Sequence, residues 1–216
     1  MNRAFVLALF TFAVSLSLLA GCVPVLIAGA AGGAAMVATD RRSAGAQVDD
    51  ESIELKITTQ ASSEFGERIH LNVTSYNGIV LLTGEVPDQA ALTSVGNLAK
   101  NTEKVRVVHN EMVVGPNSDF SARSNDTIIT GKVKAAFVDT SDLQVNSIKV
   151  VTERGVVFLM GRVTEREATR AAEVARSVGG VQKVVRVFEI ITPAELAAIQ
   201  SAMSPAAPAS AASAAK

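Results

Sequence analysis

Tyr76-Asn77-Gly78-Ile79-Val80-Leu81-Leu82-Thr83-Gly84-Glu85-Val86 decides the fold, because the chain writes it twice. Shifted by 77 positions stands Glu153-Arg154-Gly155-Val156-Val157-Phe158-Leu159-Met160-Gly161-Arg162-Val163. Gly78 and Gly155, Val80 and Val157, Leu82 and Leu159, Gly84 and Gly161, and Val86 and Val163 are the same residue in both copies. Self-similarity at a long fixed period marks a repeated structural unit. Each copy reads as a hairpin. Asn77-Gly78 favours a type I′ turn, whose two central residues need positive φ, and Arg154-Gly155 is a weaker form of the same signal. Leu71 and Val73 before the first turn, and Ile148 and Val150 before the second, alternate as strand residues do. The return strands are almost entirely apolar, which predicts burial or a central place in the sheet. Gly84 and Gly161 mark a sharp strand exit or a close helix approach.

Working outward, the repeat extends on both sides. Asp49 or Asp50 is the expected N-cap of a first helix with Ile53, Ile57 and Ala61 on one face, matched by Asp126, Ile129 and Val133 in the second copy. A second helix is predicted over 87–102, with Ala91, Val95 and Leu98 inward. Its counterpart over 164–177 carries Ala168, Ala172 and Ala175 in register. A last strand begins at Val105 and at Val181. The module is therefore helix, strand, strand, helix, strand, and the fold class is α+β: two tandem modules, each with two helices packed on a three-stranded mixed sheet.

The chain has 216 residues, allowing one or two domains. Lys+Arg 20 against Asp+Glu 21 leaves a net charge of -1, so no global basic field points to nucleic acid. One cysteine excludes an internal disulfide and a multi-cysteine metal site. With His70 and His109 the only histidines, a histidine-based metal cluster is not expected. No catalytic constellation is evident: His109 reads as a solvated strand residue, and Glu165 and Glu167 as helix N-terminal charges. No phosphate loop occurs. Neither an enzyme nor a cofactor is expected.

Residues 1–21 read as a secretory signal peptide, with Arg3 ahead of an apolar run. Leu19-Ala20-Gly21-Cys22 resembles the bacterial lipobox, in which Cys22 carries the lipid anchor (acyl chains such as palmitate) and becomes the mature N-terminus. Residues 22–48 then form a tether. Val23 after the cysteine implies, by resemblance to other lipoproteins, export to the outer membrane with the folded part in the periplasm.

The two modules resemble the BON domain over 49–114 and 124–191, joined by a linker at 115–123. Carrying the resemblance are the hairpin pattern Gly-(Ile/Val)-Val-x-Leu-x-Gly and the closing Gly180-Val181-Gln182-Lys183-Val184, where Lys104 replaces the glycine in the first copy. The whole chain to about position 191 is similar to dual-BON outer-membrane lipoproteins, through the lipobox, Thr39-Asp40-x-Arg42-Ser43-x-Gly45-x-Gln47-Val48-Asp49-Asp50 and Ser124-Asn125-Asp126-Thr127. Residues 192–216 hold a short helix at Pro193–Met203 and a disordered Pro/Ala/Ser tail.

If Ile129, Val133, Ala136 and Phe137 face the sheet, the opposite side of that helix carries Ile128, Gly131, Lys132, Lys134, Ala135 and Val138. Two lysines beside exposed apolar residues suit a shallow contact with anionic headgroups. On the residues alone an ordinary solvated face competes with that reading. The resemblance favours the membrane, because it implies binding of anionic phospholipid such as phosphatidylglycerol through this helix of the second module. It also implies support of envelope integrity, including at the division site. Ile128 stands where the family leads one to expect an aromatic. The alternative partner class is protein: envelope assembly, division or peptidoglycan-remodelling factors bound on the paired sheets or the 164–177 helix.

Overall fold

The computed structural model of the protein describes residues 40–203. The expected signal peptide, Cys22, the tether through position 39 and the tail from 204 onward lie outside the described residues. The first module runs α1 (Ala44–Phe65), β1 (His70–Tyr76), β2 (Ile79–Val86), α2 (Gln89–Asn101), β3 (Val107–Asn110) and β4 (Val113–Val114). The second runs α3 (Phe120–Val138), β5 (Ile148–Glu153), β6 (Val156–Val163), α4 (Glu165–Ser177) and β7 (Lys183–Ile190), followed by α5 (Pro193–Met203). The expected α+β order of helix, strand, strand, helix, strand is present in both modules.

The hairpins form as their turns dictate. Asn77 and Arg154 both adopt φ 53, with Gly78 at φ 74 and Gly155 at φ 73, the paired positive φ of a type I′ turn. β1 pairs antiparallel with β2, and β5 with β6. The last strand returns parallel to the middle one, so β2 and β6 are central. Ile79 faces Val107 and Glu85 faces Val113, so the register does not slip across Glu111-Met112. β3 and β4 are one interrupted strand.

Three local expectations are corrected. The first helix is capped by Ser43, whose hydroxyl accepts from the Ala46 N–H, and the third by Asp119; neither starts at Asp49, Asp50 or Asp126. Asp50 instead lies buried inside α1 and accepts from the N–H groups of Asn77 and Gly78 and from the Ser75 hydroxyl. Asp126 receives the N–H groups of Arg154 and Gly155 at 2.8 Å each. Each aspartate therefore closes a hairpin turn, a use of the carboxylate that a helix-start pattern resembles. Gly84 and Gly161 mark the close approach of a strand backbone, not of a helix. A Cβ would sit 2.0 Å from the His70 carbonyl oxygen at Gly84 and 2.2 Å from that of Ser147 at Gly161. The helix α3 also opens at Phe120, inside the segment expected as linker.

Three apolar clusters hold the body together. Ile53, Ile57, Val80, Leu82 and Val95 centre the first, between α1, α2 and one face of the first sheet. Ile129, Val133, Phe137, Val157 and Leu159 centre the second in the same way. Tyr76, Leu81, Phe158, Met160 and Val187 make the third, which joins the opposite faces of the two sheets. The central strands are apolar along most of their length because both of their faces are covered. Asn72 to Glu153 (2.8 Å), Asn77 to Glu189 (2.7 Å) and Lys149 to Glu54 (2.9 Å) rim that junction.

Candidate functional site

α3 owes its position to its inward stripe. Asp126, Ile129, Val133 and Phe137 are buried at helical spacing, and Asp119 caps the start by accepting from the Ala122 N–H at 2.7 Å. With 3.6 residues per turn the opposite side must then face outward. Ile128, Gly131, Lys132, Lys134, Ala135 and Val138 are all exposed there, Ile128 at 56% and Val138 at 68%. The structure thus brings all six predicted residues onto one outward face. Ala136 is half-buried at its edge.

Two features of this face go beyond the expected set. Phe120 is 79% exposed and lies five helical turns before Val138, hence on the same side. Placing 115–123 in a linker hid it; the signal available was Asp119 as an N-cap directly before an aromatic. Gly131 is the second. A Cβ there would meet nothing within 4 Å, so no packing requires glycine. An interior helical glycine costs roughly 0.5–1 kcal/mol against alanine, yet here it leaves the backbone uncovered in the middle of the face. Lys132 and Lys134 make no ion pair among the described residues.

The equivalent face of α1 differs. Val48 and Leu55 are exposed, but Glu51 is exposed beside them and Lys56 is held by Glu103 at 3.4 Å. Of these two helix faces, only that of α3 carries unpaired lysines among the described residues.

The segment entering the first module is strapped to the second. Arg41, 6% exposed, bonds Glu167 with both guanidinium nitrogens (2.9 and 2.7 Å) and donates to the Arg162 carbonyl. Burial would raise the Glu167 carboxyl, but Arg41 and the Thr164 cap outweigh it and hold it down at about 2. Arg42 lies 4.3 Å over the Tyr76 ring and pairs with Asp40 and Asp50. The expected role of Glu167 at a helix start is present, as a capping box with Thr164. From the start of α4, Arg166 and Arg170 reach Asp142, just past the end of α3, so the strap and the outward helix share one end of the module. No described helix is long and apolar enough to cross a membrane.

Among the described residues one set of side chains has the makings of a metal site, His70 with Glu85 and Glu153 at the module junction. His109 lies half-buried in β3, apart from it.

Comparison with known proteins agrees with this architecture. The BON domain matches residues 49–116 and 125–192. The chain is 39% identical over 175 residues to the outer membrane lipoprotein DolP of Haemophilus influenzae, spanning 80% of this chain and 90% of that protein. It is 40% identical over 154 residues to a 21 kDa hemolysin of Actinobacillus pleuropneumoniae, spanning 70% and 79%. It is 28% identical over 141 residues to the osmotically-inducible protein Y of Escherichia coli, spanning 63% and 70%. None of the three bears an enzyme's name. With both repeats matched and most of its length aligned, the chain belongs to the BON-domain family, as a two-module outer-membrane lipoprotein similar to DolP.

Proposed function

We propose that the protein is a non-enzymatic lipoprotein anchored through Cys22, whose second module docks on anionic phospholipid of the periplasmic leaflet. Ile128, Gly131, Lys132, Lys134, Ala135 and Val138 make the contact. The observation that carries this reading is the outward face of α3: apolar side chains exposed in a line, flanked by two unpaired lysines. Each lysine contributes about 1 kcal/mol near a charged surface. Ile128, Val138 and Phe120 bury only part of their area, each adding on the order of 1 kcal/mol. These sums support reversible docking that assists an acyl anchor rather than replacing one. Ile128, in place of an aromatic, makes the insertion shallow, and Phe120 at the helix start supplies the ring instead. Support of envelope integrity, including at the division site, is the role that such docking serves.

The test uses residues 38–203, without the anchor, and sedimentation with vesicles. Binding is expected to phosphatidylglycerol vesicles and not to neutral ones, and to weaken at high salt. Replacing Ile128 and Lys132 by Glu should cut it at least tenfold, while Lys104→Glu on the first module leaves it intact. Binding that ignores the α3 changes, or none at all, would return the face to the protein-partner reading.

A further inference from the structure

We infer that His70, Glu85 and Glu153 form a binding site for one zinc-class divalent cation that clamps the two modules together. The proposal is independent of lipid docking. His70 and Glu85 are direct partners across β1 and β2, at the end of the hairpin away from its turn, and Glu153 is the last residue of β5 in the other module. Their ligand atoms lie within 4.8 Å of one another. His70 Nδ1 is 2.9 Å from Glu85 Oε2 and 3.9 Å from Glu153 Oε1. Ligands held about 2.0–2.1 Å from a tetrahedral ion are about 3.3 Å apart, so side-chain adjustments between about 0.5 and 1.5 Å convert this arrangement into three ligands. A fourth position is left for water.

The surroundings fit a cation better than an ordinary hydrogen-bonded cluster. Glu85 is fully buried and Glu153 is 6% exposed, so two carboxylates share a low-dielectric junction with one imidazole. Glu153 Oε1 receives no hydrogen bond among the described residues and is turned toward His70. Arg154 meets Glu85 at 3.4 Å from a half-exposed position and makes no ion pair with Glu153. A divalent ion would offset the two buried carboxylates by coordination.

The outer partners are also in place. Asn72 donates to Glu153 Oε2 at 2.8 Å, and the Ser118 N–H to Glu85 Oε2 at 3.1 Å. Such contacts orient ligating side chains. A cavity of about 230 Å³ lined by His70, Asn72 and Glu153 gives an entry path. The mixed imidazole and carboxylate set selects zinc over magnesium or calcium, which take oxygen ligands.

The test is calorimetric titration of zinc chloride into the full chain in detergent, stripped with chelator, with magnesium in excess. One ion per chain is expected, with a raised Tm that falls on adding chelator. His70→Gln and Glu153→Gln should each weaken binding at least tenfold, while His109→Gln and Cys22→Ser leave it unchanged. Both glutamines keep a polar side chain in place, and circular dichroism checks the fold. If either variant unfolds, cobalt decides on the native chain, where strong four-coordinate visible absorption is expected and a weak six-coordinate spectrum overturns the site. No saturable zinc binding overturns it as well. So does binding that survives both glutamine variants, or that is lost with Cys22 or His109.

Discussion

Glu167 shows how one side chain acquires three duties. Its carboxylate closes the capping box of α4, receives both nitrogens of Arg41, and so ties the entering segment to the second module. Its folded value of about 2 lies below the ordinary 4.5, so the ionised form is stabilised by folding. That stability is fully present above pH 4.5 and is lost as pH falls toward 2. Glu167→Gln should therefore cost about 3 kcal/mol at pH 7. The gap to the native chain should shrink steadily below pH 4.5, measured by urea unfolding across the range. A gap independent of pH would contradict the pairing. The pattern Thr164-x-x-Glu167 made the helix start legible in the sequence. Arg41 was not legible, because its partner lies 126 residues away. Asp50 failed for the same reason. An aspartate ahead of an apolar run resembles an N-cap, whereas its partners sit 27 and 28 residues on, in the turn.

At the scale of elements, periodicity carried the reading wherever the element buries one face. α1, α3 and α4 bury the residues that the 3.6 spacing selects, and the turns take the φ values that Asn-Gly and Arg-Gly demand. The glycines required geometry. Gly161 and Gly131 should respond oppositely to the same substitution. Gly161 holds φ 152, and a Cβ would press on the Ser147 carbonyl at 2.2 Å, so Gly161→Ala should lose on the order of 3 kcal/mol as the β5–β6 edge is forced apart. Gly131 has open space and helical backbone, so Gly131→Ala should gain roughly 0.5–1 kcal/mol. Thermal melts of the two variants check both signs. A gain at Gly131 accompanied by weaker vesicle binding would show that the uncovered backbone serves docking rather than folding. The repeat also explains why α3, and not α1, carries the candidate face. Both helices expose apolar residues, but Lys132 and Lys134 stay unpaired while Lys56 is held by Glu103.

At the scale of the whole molecule, the unread feature was the junction between the sheets. Its signal was present: Leu81, Phe158 and Met160 stand at positions where a one-sided sheet would place polar residues. Sequence alone cannot pair two such faces, since nothing local specifies which surfaces meet. The junction also brings His70 and Glu85 to Glu153, so counting histidines along the chain gave no hint of that cluster. The consequence is testable. Leu81 and Met160 are fully buried in this layer, while the helix-side cores lie on the other faces of the sheets. Leu81→Glu or Met160→Glu places an unpaired charge between the sheets, costing several kcal/mol in the joined state. Each module retains its own core, so separation is the less costly response than unfolding. Calorimetry should show one transition for the native chain and two for either variant, the first shifted down by roughly 10 °C or more. Zinc-dependent stabilisation should vanish with the junction, since Glu153 then parts from His70 and Glu85. Vesicle binding by α3 should survive, because its face belongs wholly to the second module. A single unshifted transition in both variants would mean that the sheets do not meet as described.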